Sequence, residues 1–367
     1  MKIFLCECKK MMSFRIFWII FVCLFAINGY VQIDRINDRY YTPESYRSFF
    51  SETKDMSLEE IQDYTNEMLE RQNNGEYIEF PMMLVYDMSE LSKECENYPE
   101  YLNSIKEQTN NMSAVSIWGD SDTFSYRNIQ KTPSAYENLP AEPLPLAASF
   151  GLENTFTSPI TDFMGIFLVF LAVCGIILKD REHGITFLLS SMPKGRSSLI
   201  LSKLFAVSLF ASFVAVMLFA ENLVIGGALY GIGELQRPIQ SVFGFYQCNL
   251  AVSVGEFLLL FFILKIASYL LFAMIFSLIC TVSRNNLMIY GISGAVCTIA
   301  FLCYRLIPQN SVFQLFHDWN PIKFTQTAEI LGTYQNVNLF GYPVSLKISM
   351  IIIIVITIVS VILCCIF

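Results

Sequence analysis

Six long apolar runs most strongly limit what this chain can fold into. About 20 consecutive apolar residues cross the hydrocarbon core of a bilayer as a helix, and each run is near or above that length. Only 15% of the residues are charged, so the chain is predicted to be an α-helical polytopic membrane protein. The runs are Ile16 to Ile33, Ile160 to Leu178, Leu204 to Ile225, a stretch within Phe257 to Val282, Leu287 to Tyr304, and Ile348 to the C-terminus.

The segment between the first two runs, residues 34–159, differs in kind. Residues 34–158 carry 23 acidic and nine basic residues, whereas the whole chain has a net charge of only −8. This composition is typical of a water-exposed domain, and the length is that of an ordinary domain. We expect an acidic extracytoplasmic α+β domain here. Residues 1–33 then form the cytoplasmic N-terminus and first membrane helix, and residues 160–367 form a five-helix membrane domain.

Local patterns within the acidic segment predict both helices and strands. Ser57-Leu58-Glu59-Glu60 is a capping box, and the apolar spacing after it predicts a helix to about Gln72. Tyr77 to Tyr86 is rich in aromatic and β-branched residues, which favours a strand with Pro81 at an edge or bulge. The other predicted elements are a helix over Ser89 to Gln108, either continuous or broken at Pro99, a short strand over Ala114 to Trp118, and a proline-rich connector from Pro133 to Pro145.

Basic residues in the short flanks predict the orientation of the spans. Lys and Arg accumulate on the cytoplasmic side of membrane helices. With six spans, every basic cluster then lies inside, together with both termini, and the acidic segment and the loop 305–345 lie outside. The clusters are Lys2, Lys9, Lys10 and Arg15 before the first run, Lys179, Arg181, Lys194, Arg196 and Lys203 between the second and third, and Arg284 after the fourth.

The basic stretch from Lys179 to Lys203 is here called the elbow. Ile185, Leu188 and Leu189 share one helical face in it, and Pro193 ends that piece because proline has no N–H to donate. A short amphipathic helix between two spans can transmit force from a soluble partner. It can also simply float on the lipid headgroups. The residues alone leave both interpretations open.

The order of features in the elbow resembles that of the type-2 ABC exporter permeases, whose membrane subunits have the type V fold. The resemblance covers residues 16–33 and 160–367, but not 34–159. In that family the loop between the second and third spans contains an acid, a glycine, a small apolar helix, a proline, an arginine, and a lysine before the third span. The matching residues here are Glu182, Gly184, Ile185 to Leu189, Pro193, Arg196 and Lys203.

The resemblance implies a permease half of an exporter in a bacterial plasma membrane. A second permease subunit, identical or different, would complete the pathway, and separate ATP-binding subunits would dock from the cytoplasm. The loop 305–345 lies where the family places short re-entrant helices near the outer gate. The residues implied in coupling to the ATPase are Glu182, Gly184, Ile185, Leu188, Pro193 and Arg196.

The sequence contains no G-x-x-x-x-G-K-[ST] pattern and no Gly-Lys dipeptide, so we expect ATP to be bound by the partner. No enzymatic activity, resident cofactor or nucleic-acid partner is expected of this chain, and membrane lipid surrounds it. With only two histidines in the chain, no metal site is expected either. An alternative is a signalling or mechanotransmitting protein whose extracytoplasmic domain is the working part.

Two charged residues within apolar runs are further candidates. A charge at the centre of a membrane helix costs at least about 2.5 kcal/mol, which makes Lys265 a candidate pathway residue, paired with Glu221 or Glu256. Alternatively, Lys265 lies at the outer boundary and its stem snorkels to the headgroups. Glu221 allows the same two interpretations. Gly291 and Gly294 belong to a small-residue face of the fifth span, which serves close helix packing or a substrate groove.

Overall fold

A computed structural model describes residues 2–37, 40–114, 123–182, 195–283, 285–308 and 313–366. Within these ranges, six helices are long and apolar enough to cross a membrane, one for each predicted run. Numbered along the chain, they are α2 (Arg15–Asn37), α9 (Pro159–Val173, continued by a π-helical turn, Cys174–Leu178), α11 (Gly195–Tyr230), α12 (Val254–Val282), α13 (Asn286–Leu306) and α17 (Leu346–Ile366).

Shorter helices surround these six. One, α1 (Lys2–Met12), precedes the first membrane helix, and α10 (Lys179–Glu182) follows the π-helical turn. The segment between α2 and α9 holds α3 (Pro43–Glu52), α4 (Leu58–Asn73), α5 (Met82–Glu96), α6 (Tyr98–Ala114), α7 (Phe124–Ala135) and α8 (Phe150–Phe156). The loop after α13 holds α14 (Gln314–Asp318), α15 (Pro321–Thr325), α16 (Thr327–Gly332) and two strands, β1 (Asn336–Leu339) and β2 (Tyr342–Ser345).

Helices α9, α11 and α12 form the centre of the membrane part. They pack on one another and bury the largest shares of their surface, whereas α13 is mostly exposed. Edge-to-face aromatic contacts join α8 to this centre, where Phe156 of α8 meets Phe257 and Phe261 of α12. Such contacts add to the packing of helices that share an apolar solvent.

The expected α+β character of residues 34–159 is wrong for every part of that segment that the structure describes, because all of its regular elements there are helices. The predicted helix after Ser57 is confirmed as α4, with both hydrogen bonds of the capping box present. The strand predicted at Tyr77 to Tyr86 is wrong: residues 77–81 form no regular element, and residues 82–86 are the start of α5. Leu84, Val85 and Met88 are buried at helical spacing, a period that the local β propensity concealed.

Two prolines mark further helix boundaries, and the break expected at Pro99 is confirmed. The chain between Ser89 and Gln108 forms two helices, and Pro99 occupies the second position of the later one, where the missing N–H costs no helical bond. Pro133 lies in the last turn of α7, so the connector begins after it. Ala114 ends α6, and the rest of the strand predicted to Trp118 lies outside the described residues.

The two strands belong to the loop 305–345. They form an antiparallel hairpin in which Val337 pairs with Val344. Its turn residues, Phe340 and Gly341, both have positive φ, as a type I′ turn requires. Helix α7 packs on this hairpin: the Arg127 guanidinium lies 4.3 Å from the Tyr342 ring centroid and donates to the carbonyl of Gly341 at 3.2 Å. The acidic segment and the loop 305–345 therefore contact each other.

Glycine permits the closest approach between the acidic segment and the membrane helices. Gly151 of α8 lies against Gly226 near the end of α11, and a Cβ at either position would overlap backbone atoms of the other. The neighbouring Gly227 faces only the side chain of Ile232, at 3.3 Å from where a Cβ would lie. Backbone-to-backbone packing of this kind is typical of small residues at membrane helix contacts.

We expect Gly226→Ala to lower the thermal unfolding temperature of the purified protein clearly, because the Gly151 backbone cannot yield as a flexible side chain would. Gly227→Ala is the matched control and should change it little, because a side chain can move aside. The measurement is thermal unfolding of both variants in the same detergent. Equal midpoints for the two variants would contradict the close approach.

Candidate functional site

Four charged side chains form a cluster where the two ends of the elbow meet. Glu7 and Lys10 come from α1, Asp180 from α10 and Lys203 from α11. Lys10 contacts Glu7 at 2.9 Å, and both lysines pair with Asp180. Lys203 also lies 3.7 Å from Glu7. Two acids and two bases therefore balance, which a buried charge cluster needs in order to be tolerated.

Backbone geometry completes this cluster of Glu7, Lys10, Asp180 and Lys203, here called the inner cluster because the basic flanks predict a cytoplasmic elbow. The π-helical turn of α9 places the carbonyl of Ile176 where it accepts from Lys10 at 3.2 Å and from Lys203 at 2.9 Å. Carbonyls at the end of a helix attract cations. Gly175 in the same turn faces the ring of Phe14, so the connection between α1 and α2 packs on it. Single π-helical turns recur at functional positions.

The carboxyl group of Asp180 remains ionised in this setting. Burial opposes its ionisation, but hydrogen bonds from Lys10 and Lys203 outweigh that effect and hold its pKa below the ordinary value. A charged Asp180 joins α10 to α11 directly. The two ends of the elbow are thus held together, and α1 is held to both.

The structure positions the predicted coupling residues unevenly. Glu182 is the last residue of α10, two residues after Asp180, and Arg196 is the second residue of α11, seven residues before Lys203. Gly184, Ile185, Leu188 and Pro193 lie outside the described residues. A role for these six residues in coupling stays a prediction.

Lys265 has a partner that the sequence reasoning did not name. Its ammonium group lies 2.7 and 2.9 Å from the two carboxylate oxygens of Asp162 on α9, and it also donates to the carbonyl of Thr325. The pairing with Glu221 or Glu256 is wrong: Glu256 instead caps the start of α12 through Ser253. Removing Lys265 or Asp162 alone would leave a buried charge without its counter-ion.

Lys265 does not snorkel. Only 1% of the residue is exposed, and it is the twelfth residue of α12, about 16 Å of helix from its outer end. The ring of Phe219 lies 4.4 Å from its ammonium group. At the end of α15, the carbonyl of Phe324 accepts from Ser268 and the carbonyl of Thr325 accepts from Lys265. These carbonyls at a helix end have no acceptor role within the helix, so α12 supplies their donors. This outer cluster therefore fastens the loop 305–345 into the helix bundle.

Glu221 belongs to a separate polar network between α2, α9 and α11. The side-chain amide of Asn28 donates to Glu221 at 2.9 Å and to Asn222 at 2.7 Å, and Thr161 donates to the Asn28 carbonyl oxygen at 2.6 Å. Asn222 in turn donates to Thr161 at 3.0 Å. Glu221 sits at the edge of this network and is partly exposed. Whether Glu221 or Lys265 faces a transport pathway stays a prediction.

Asp162 and Asp180 are the residues that sequence reasoning missed. Each lies in or directly after the second apolar run, and Asp162 is the single acid within it, just as Lys265 is the single base within the fourth run. A search for opposite charges within predicted spans would have paired them. Asp180 gave a weaker signal, because an acid at the end of a span can often face water.

We expect Lys265→Ala to destabilise the protein by about 3–5 kcal/mol, because it strands the Asp162 carboxylate in the bundle. The double variant with Asp162→Ala should lose less than the sum of the two single variants. The measurement is a double-mutant cycle on denaturant or thermal unfolding in detergent. The control is Arg71→Ala, which removes an exposed ion pair with Glu67 and should change stability little. Additive losses would contradict a direct Asp162–Lys265 interaction.

Comparison with known proteins agrees with this architecture. A family model described as ABC-2 family transporter protein matches residues 1–367. No curated protein and no solved structure matches the chain significantly. The match covers the acidic segment as well as the six membrane helices, so the earlier limit of the resemblance to residues 16–33 and 160–367 was too narrow. The chain belongs to the ABC-2 family of transporter membrane proteins.

Proposed function

We propose that this chain is the membrane-spanning permease subunit of an ABC exporter, driven by a separate ATP-binding subunit through the elbow. The observation that carries the proposal is the family match over the whole chain. The sequence has no phosphate-binding loop of its own. Both facts fit a transport subunit that has no ATPase site of its own. In our proposal it pairs with a second permease subunit in a bacterial plasma membrane. The signalling alternative has no comparable support.

The inner cluster supports a mechanical role for the elbow. Asp180 and Lys203 hold together the two helices that enter and leave it, so force on the elbow moves α9 and α11 together. The pairing of Lys10 with Asp180 adds α1 to the same unit. Packed elements joined by buried charges shift as rigid bodies rather than deform. In our proposal, closure of the ATP-binding subunits pushes on this unit.

Helix α9 provides a route from the elbow to the opposite side of the membrane. Asp162 and Asp180 are 18 residues apart, which is about 27 Å along a helix. Asp162 binds Lys265, and Lys265 binds the carbonyl of Thr325 in the loop 305–345. A tilt of α9 would therefore reach that loop, which in our proposal borders the outer gate.

Charge reversal at either flank of the elbow tests docking of the ATP-binding subunit. We expect Glu182→Lys or Arg196→Glu to lower recovery of that subunit with the tagged permease at least severalfold, because a close charged contact becomes repulsive. The matched control is Arg71→Glu on α4, an exposed arginine of the acidic segment, which should leave recovery unchanged. The measurement is quantitative co-purification at fixed salt. Undiminished recovery of both elbow variants would count against docking at the elbow.

Asp180→Asn tests transmission rather than docking. We expect the ATP-binding subunit to co-purify normally, while the ATP-dependent change in hydrogen exchange of residues 321–332 is lost, because the neutral side chain no longer holds α10 to α11. The readout is exchange mass spectrometry with and without ATP and vanadate. An unchanged response would show that the inner cluster carries no motion.

The orientation of the elbow is tested with a protease-cleavable tag at Ser191. We expect cleavage in inverted membrane vesicles and none in intact spheroplasts, because the basic flanks predict a cytoplasmic elbow. A tag at Asn74, beyond the end of α4, is the control and should show the opposite pattern. Cleavage at Ser191 in spheroplasts would overturn the proposed coupling altogether.

A further inference from the structure

The two edges of the hairpin formed by β1 and β2 differ in how they are protected. In an antiparallel pair, every second residue directs its backbone N–H and C=O away from the partner strand. Counted from the two-residue turn at 340–341, these outward groups belong to Asn336 and Asn338 on β1 and to Pro343 and Ser345 on β2. Such an edge can pair with a further strand unless the fold blocks it.

The edge of β2 is blocked. Pro343 has no N–H to donate, and its carbonyl accepts from Lys131 of α7 at 2.9 Å. One turn earlier on α7, Arg127 donates to the carbonyl of Gly341 in the turn. Proline, lysine and a covering helix are devices that prevent further strand pairing, and this edge has all three.

The edge of β1 has no such protection. No described residue hydrogen-bonds to the outward backbone groups of Asn336 or Asn338, and Asn338 is exposed. The side chain of Asn338 instead fixes the turn, because it accepts from the N–H of Gly341 at 2.8 Å. The strand carries neither a charge nor a proline. An open, uncharged edge beside a blocked one is a position where another strand can add.

The turn next to this edge presents an aromatic ring. Phe340 is 94% exposed and has a φ of 52°, a left-handed conformation in which asparagine and glycine are the usual residues. Asparagine at this position would suit the turn better and would expose no apolar surface. Large aromatic side chains are typical anchors of protein interfaces. The ring of Phe340 therefore indicates that a partner covers the tip of the hairpin.

The placement of the hairpin fits a second copy in the same membrane. Val337 is buried in the same apolar core as Leu331 of α16 and Leu346 of α17. One face of the hairpin thus rests on the end of the helix bundle, and the β1 edge points sideways. Antiparallel neighbours in one sheet are related by a two-fold axis perpendicular to that sheet. Two copies with the same orientation in a bilayer are related by an axis in this same direction.

We propose that the β1 strands of two copies of this chain pair antiparallel and join the two hairpins into one four-stranded sheet. The second permease subunit is then identical to the first, and to that extent the inference rests on the proposed function. The register that satisfies all the outward groups places Asn336 of one copy opposite Asn338 of the other. It also brings Phe340 opposite Tyr334 of the second copy, which covers the exposed ring.

Disulfide cross-linking in native membranes tests the pairing and its register. Two differently tagged copies are co-expressed, one with Asn336→Cys and the other with Asn338→Cys. Directly opposite residues in a hydrogen-bonded pair have Cα atoms about 5.5 Å apart, which a disulfide can span. We expect mild oxidation to join the two tags severalfold faster than when both copies carry Asn338→Cys, because those Cα atoms lie diagonally, about 7–8 Å apart.

A control for random collisions combines Asn338→Cys with Tyr342→Cys on the blocked strand. Tyr342 is exposed but lies on the far side of its own hairpin, so we expect no cross-link. Mass spectrometry of the joined peptides distinguishes the new disulfide from any formed by the native cysteines.

A second test removes the aromatic anchor without disturbing the turn. Phe340→Asn suits the positive φ, so the hairpin should remain folded. We expect this substitution, made in both copies, to slow the cross-link between positions 336 and 338 severalfold. The matched control is Tyr77→Asn, which removes a similarly exposed ring from the acidic segment and should leave the rate unchanged.

The outcomes separate this inference from the proposed function. Two tags that co-purify without forming the 336–338 cross-link would overturn the strand pairing and leave a permease dimer intact. Cross-linking of Asn338→Cys to a different protein in place of the second copy would overturn self-pairing. A cross-link between positions 338 and 342 as fast as that between 336 and 338 would overturn the register. If the 336–338 cross-link forms but no ATP-binding subunit is recovered, the pairing stands and the proposed exporter fails.

Discussion

One membrane helix with a paired carboxylate towards each end organises this structure. An unpaired buried charge is strongly destabilising in an apolar layer, so each carboxylate dictates which neighbour lies beside it. Asp162 in the first turn of α9 requires Lys265 of α12, and Asp180 just beyond its inner end requires Lys203 of α11. The three central helices are thereby fixed in position at two depths.

In the apolar layer, packing alone does little to determine which helices lie side by side, and the two ion pairs supply part of that information. Apolar side chains pack against lipid tails nearly as well as against each other, so helix association in a membrane depends on close packing and polar contacts. The glycine contact between α8 and α11 supplies the first kind, and the two ion pairs supply the second. The same pairs also join the two ends of the elbow to each other and the loop 305–345 to the bundle.

The sequence was sufficient for the six membrane helices, because length and hydropathy decide them without tertiary information. It misled for the acidic segment, where Tyr77 to Tyr86 has local β propensity but its second half, from Met82, begins a helix that packs on α4. For the candidate site, the charges of Lys265 and Asp162 are both visible in their spans, but their contact is not. Asp162 lies 103 residues away, and no local pattern encodes a contact of that separation. The elbow could be proposed from the sequence because its residues are consecutive.

The separation within the inner cluster also bears on how the protein is made. Glu7 and Lys10 leave the ribosome before the helix that carries Asp180, which follows Lys10 by 170 residues. Until α9 and α11 are inserted, Glu7 and Lys10 of α1 can pair with each other but not with Asp180 and Lys203. Contacts of such long range form late. We therefore expect the inner cluster to be complete only after α11 has been inserted. At that point the N-terminal helix becomes attached to the rest of the helix bundle.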